Sequence, residues 1–127
     1  MKAPVWIESA VREFGQAAGL NALDLGENGV AAVSFDNGVS LGFEYAHEAL
    51  VVSVTIQAHL DPGSAARLLA YAHPEARAGF RLRTGYLARA GRAVFAVSLA
   101  DRDVTVPALN SVFSALWRIA IEFGGAS

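Results

Sequence analysis

Apolar residues recur along this chain with two periods, and the switches between them mark the elements. Over residues 5–20, "VWIESAVREFGQAAGL", Trp6, Ala10 and Phe14 fall at i, i+4 and i+8, with Ile7 and Val11 beside them, the spacing of an amphipathic helix that Gly19 ends. The period then drops to two. "VAAVSF" at 30–35 reads as a strand, and Val39, Leu41, Phe43 and Tyr45 alternate with Ser40, Gly42 and Glu44 in the next. Between them, Asn37-Gly38 is a strong hairpin signal of the type I′ kind, which needs positive φ at both central residues. "YAHEA" makes a loop, and the β-branched run at 50–59 is a third strand, so residues 30–59 predict an antiparallel meander.

Asp61 and Pro62 open a second helix over about 62–72, Asp as N-cap and Pro in the first turn, and it stops before Pro74. Strands follow over about 79–87 and 92–100. The last, "RAVFAVSLA", is apolar at both parities, which predicts a central strand or one covered on both faces. Pro107 starts a final helix to about 123, with Leu109, Val112, Phe113, Leu116, Ala120 and Phe123 as its core stripe. The order α-β-β-β-α-β-β(-β)-α, without repeat or linker, predicts a single α+β domain over 1–127 with an antiparallel sheet.

Composition fits a globule. Leu, Ile, Val and Phe make 37 of 127 residues, enough for a core, while 25 alanines inflate the 54% hydrophobic content. The longest uncharged run, 104–117, is interrupted by Pro107 and Asn110 and falls short of a membrane span. Glu8, Arg12 and Glu13 interrupt the start where a signal peptide needs an apolar stretch, so a cytoplasmic protein without a transmembrane segment is expected. The absence of cysteine excludes disulfides and thiolate chemistry.

The net charge of −2 is uneven: two basic against seven acidic residues over 1–60, then six against two over 61–92. Arg77, Arg81, Arg83 and Arg89 interleave with Phe80 and Tyr86, a pattern that suits a solvated strand face, a patch for an acidic protein partner, or single-stranded RNA. An acidic chain with pI near 5.9 argues against nucleic acid. No nucleophile elbow, phosphate loop or dinucleotide fingerprint is present. His47, flanked by Glu44 and Glu48, is the nearest approach to a metal cluster, but all three share one loop; His59 reads as surface, and His73 sits at a helix C-terminus. No enzyme, metal or cofactor is expected.

Several segments resemble a known family. "GLNALDLGENGVAAVSFDNGVSLGFEY" (19–45) is similar to the leucine link, acidic-Gly turn and hairpin of the class I chaperones of bacterial type III secretion, the Tir/CesT-like fold. "VWIESAVREFGQAAGL" (5–20) and "TGYLARAGRAVFAVSLADRDVTVPALNSVFSALWRIAIEF" (84–123) most resemble the SycN type within that family, while 61–78 match only in apolar character. The resemblance implies a chaperone that holds the N-terminal region of a YopN-type gatekeeper. Its implied second subunit is a small chaperone of the YscB type, or a second copy of itself. On this reading Leu68, Leu69, Tyr71, Ala72, Phe80 and Leu82 are expected at the subunit interface, and Val5, Trp6, Val39, Leu41 and Phe43 at the client. The alternatives are a small-ligand or enzymatic α+β pocket protein and a generic protein- or RNA-interaction domain.

Overall fold

The computed structural model describes residues 1–20, 23–58, 61–71 and 82–125. Helix α1 spans Val5–Ala17, strands β1, β2 and β3 span Val30–Ser34, Val39–Ala46 and Ala49–Gln57, and α2 spans Pro62–Tyr71. Strands β4 (Leu82–Leu87) and β5 (Arg92–Ala100), a 3₁₀ turn (Asp101–Asp103) and α3 (Val106–Gly125) complete it. The α+β order expected from the pattern is the order found. The strands form one antiparallel sheet, β1-β2-β3-β5-β4, so β3 is central and β1 and β4 are its edges.

Helices α2 and α3 start where the sequence supplies a side-chain partner for free N–H groups, whereas α1 follows Pro4 without one. Asp61 Oδ1 accepts from Ser64 N at 2.8 Å, and Thr105 Oγ1 accepts from Ala108 N at 3.1 Å. Gly15 sits inside α1 because a Cβ there would lie 2.9 Å from both Leu20 O and Leu23 Cβ, so only glycine lets the following loop return against the helix.

The turns divide the left-handed residues differently from the Asn-Gly reading. At the β1–β2 turn only Gly38 has positive φ (83°), with Phe35 N donating to Val39 O and Asn37 Oδ1 accepting from Val39 N. The turn is therefore not type I′. The turn with two successive left-handed residues joins β2 to β3 at His47 (φ 53°) and Glu48 (φ 59°), closed by the Ala46–Ala49 pair. Sequence reasoning missed it because neither residue is glycine. Among the described residues no three His, Cys, Asp or Glu side chains converge as metal ligands.

One face of the sheet carries the core. Leu41, Phe43, Leu50, Val52, Val54, Phe95 and Val97 lie under Ile7, Val11 and Phe14 of α1 and Leu109, Val112, Leu116 and Phe123 of α3, all buried. This placement overturns the expectation that Val39, Leu41 and Phe43 meet a client, since they are 0%, 0% and 2% exposed. Alternation specified a two-faced strand, and the helices cover the apolar face. Leu68 (6%) and Leu82 (8%) are likewise turned into the core rather than toward a second subunit. Ala72 and Phe80 lie outside the described residues, as do His59, His73, Arg77 and Arg81. β5 is interior but covered on one side alone: Val94 and Ala96 on its other face stay half-buried.

Two polar links tie distant elements. Arg67 of α2 donates to Phe123 O at 2.9 Å, with its guanidinium 4.7 Å above the Phe123 ring, fastening α2 to the end of α3. Tyr45 donates its hydroxyl to Asp101 Oδ2 at 2.9 Å, joining β2 to the 3₁₀ turn. Burial first, then that hydrogen bond and the Asp101 charge, push the phenol above its ordinary value of 10.0. A raised native pKa means the unfolded chain ionises first, so this residue's contribution is complete below the ordinary value and is lost as pH climbs through the native one. Tyr45→Phe should therefore lower Tm at about pH 8, and its gap to wild type should narrow by about pH 11. Thermal melts at both pH values check this; a gap independent of pH contradicts it.

Candidate functional site

Helix α3 carries two apolar stripes. Leu109, Val112, Leu116 and Phe123 point into the core, whereas Phe113, Trp117 and Ile121, each four residues apart, lie along a second line. With Phe35, which follows β1, this second line forms an open apolar cleft of about 780 Å³. Ser114, Arg118 and Glu122 supply its polar rim. The Phe35 and Trp117 rings meet edge to face at 5.0 Å, and Phe113 lies 5.6 Å from Trp117. Phe14 continues the chain of rings inward, 5.6 Å from Phe113 and 5.9 Å from Phe43. The floor is thus anchored on the core while Ile121 stays 41% exposed. Aromatic pairs of this geometry hold one another in place, so the floor is preformed.

An open backbone edge runs alongside. Phe35 N donates to Val39 O and Tyr45 N to Gly29 O, so alternate backbone groups from Gly29 to Phe35 face β2. The intervening groups face outward: Val30 N donates to Leu25 O, and those of Ala32 and Ser34 lie on the side of β1 where no strand of the described residues pairs. The strand has no charged side chain. Met1, whose amino group donates to Asn28 O at 2.8 Å just before β1, is exposed, as are Val5, Trp6 and Val30. Of the residues expected at a client, Val5 and Trp6 are therefore accessible, at 71% and 49%. The cleft residues were not selected from sequence, because Phe113 was assigned to the core stripe. The readable signal was the 113–117–121 spacing.

Of the residues expected at a subunit interface, Leu69 and Tyr71 lie on α2, a helix the described residues place against β4 and, through Arg67, against α3. Arg83 and Arg89 are exposed, at β4 and the turn after it.

These elements make a five-stranded antiparallel sheet with helices on one face and an aromatic cleft lined by α3 and Phe35. The chain belongs to the family described as type III secretory system chaperone SycN, whose model matches residues 6–123. Solved structures share the fold. A chain of the ExsC–ExsE complex matches with TM-score 0.77 and 21% identity over 94% of this chain and 92% of the other. A chain of the HopA1–SchA chaperone–effector complex matches with TM-score 0.74 and 20% identity over 97% and 98%. The Yersinia pestis structure of the chaperone SycH with a fragment of YscM2 matches with TM-score 0.72 and 19% identity over 92% and 98%. No curated protein matches at the sequence level. The family is one of chaperones, and none of the described helices is long and apolar enough to cross a membrane.

Proposed function

We propose that this chain is one subunit of a small chaperone pair and that it holds an extended segment of a secreted protein. The segment adds to the free edge of β1 and sends alternate side chains into the Phe35–Phe113–Trp117–Ile121 cleft. The observation that carries this reading is the juxtaposition of an uncharged open strand with a preformed aromatic cleft. Backbone pairing gives affinity without regard to sequence, and the cleft selects apolar residues at every second position. Fixing an extended chain costs roughly 1–2 kcal/mol per residue, so a few contacts do not suffice. Buried apolar surface contributes about 25 cal/mol per Å², which favours a long, largely apolar contact.

The client is the N-terminal region of a YopN-type gatekeeper, held in secretion-competent form, and the second subunit is a YscB-type chaperone. The family membership supports this assignment, and the complexes formed by the structural neighbours support a polypeptide ligand. Retention in the cytoplasm until delivery to the secretion machinery follows from the same role. Co-expression with a tagged gatekeeper N-terminal fragment tests it: the chain should co-purify and Trp117 emission should shift. No capture of that fragment, with or without a YscB-type partner, contradicts the proposal.

A further inference from the structure

Arg92 opens β5, and its side chain ends among neutral oxygens. Nε donates to Thr55 Oγ1 at 3.1 Å. The two Nη2 hydrogens are shared among Gly38 O at 2.7 Å, Thr55 Oγ1 at 3.0 Å, Thr55 O at 3.2 Å and Ser40 Oγ at 3.4 Å. The guanidinium therefore crosses β3 and reaches β2 and the turn that precedes it. It has no carboxylate partner, since the ion pairs among the described residues are Lys2–Glu8 and Arg12–Asp24. A cation held by carbonyls and hydroxyls alone serves geometry rather than charge pairing. Its planar fork fixes the directions of the donors, so one side chain grips Thr55 and Gly38 together, which the single ammonium of lysine on its flexible stem does not do.

Gly38 connects this grip to the cleft. Phe35 lies just beyond the end of β1, and both its backbone groups bond inside the turn: Phe35 N donates to Val39 O at 2.8 Å, and Phe35 O accepts from Gly38 N at 3.1 Å. Gly38 has φ 83°, a conformation that residues with a Cβ seldom take, so the turn has one specific shape. The Phe35 ring then meets Trp117 edge to face at 5.0 Å. A second link runs beside the first. Val94, Thr55, Ser40 and Ser34 lie in register on four neighbouring strands, and Ser40 Oγ is 3.3 Å from Ser34 Oγ, so the last residue of β1 joins the same row.

We infer that Arg92 is a positioning residue for the cleft. It does not line the cleft, but by pinning Gly38 O it sets the tilt of the turn and with it the place of the Phe35 ring on Trp117. Because every acceptor is neutral, the pin holds at high salt, where an ion pair would weaken. Only the affinity readout below rests on the holding role proposed for the cleft; the optical readout uses the free chain.

The experiment compares Arg92→Gln and Arg92→Lys with the native arginine in a Trp6→Phe background, which leaves Trp117 as the one tryptophan. In the free chain, acrylamide should quench Trp117 about twofold more strongly in both variants, because the Phe35 ring no longer keeps its edge-to-face place. The change should be the same at low salt and at about 1 M salt. With Trp6 restored, affinity for the gatekeeper fragment should fall about tenfold, the scale of one lost hydrogen bond to a charged group. Thr55→Val keeps a β-branched residue on the strand and removes one acceptor, so it should move the quenching in the same direction by less. Tyr45→Phe, at the opposite end of β2, should lower Tm and leave the quenching as it was. Unchanged quenching in both Arg92 variants overturns the inference. So does quenching that rises equally in Tyr45→Phe, which makes Arg92 one more source of general stability. A native chain that captures no fragment counts against the holding role alone, and the quenching of the free chain still decides the pin.

Discussion

Ile121→Asp abolishes capture of the gatekeeper fragment while leaving the chain folded. Ile121 is 41% exposed, so an aspartate there is hydrated in the free protein and costs little stability. If the client occupies the cleft, the same carboxylate is covered by it and faces Trp117 and Phe113 across an apolar floor. Burying an unpaired charge at the centre of a contact costs on the order of 2–4 kcal/mol, a loss of roughly 30- to 1,000-fold in affinity. Isothermal titration with the fragment measures this, with a thermal melt to show that Tm is unchanged. Affinity within twofold of wild type excludes the cleft as the holding site.

The largest loss of stability is expected at Phe14. Its ring is 1% exposed and touches Phe43 on the sheet and Phe113 on α3, at 5.9 and 5.6 Å. Phe14→Ala removes both contacts and opens a cavity where α1, α3 and the sheet meet, at a cost of about 3–5 kcal/mol. That is a large fraction of the roughly 6–19 kcal/mol expected for a chain of this length. Denaturant unfolding should show a lower midpoint with an unchanged slope. Because Phe113 also floors the cleft, this variant should weaken client binding as well. Phe113→Ala should reverse the ranking, costing less stability and more affinity, since Phe113 is only partly buried.

Much of the architecture was legible as periodicity. The shift from i, i+4 spacing to strict alternation located α1 and the meander, and Asp61 and Pro107 marked helix starts. The assignment of faces was not legible in the same way. Alternation at Val39, Leu41 and Phe43 shows that a strand has an apolar side, but whether helices or a partner cover it depends on residues far along the chain. Their burial under α1 and α3 moved the site from the sheet to the helix flank. The α3 stripe illustrates the converse. Phe113 looked like one more core residue because it lies one step from Val112, and only the packing of Phe35 against Trp117 shows a second line facing outward. Basic clustering over 61–92 was visible as charge, but that Arg83 lies on the last strand of the described sheet became clear only from the strand order.

Amide exchange at Ala32 and Ser34 is the most direct measurement of the claim that another polypeptide completes this sheet. If the gatekeeper fragment adds a strand to β1, these two amides gain strong protection on binding, together with the indole of Trp117. Protection confined to the opposite face of the sheet, or unchanged exchange at both amides in a saturated complex, contradicts strand addition.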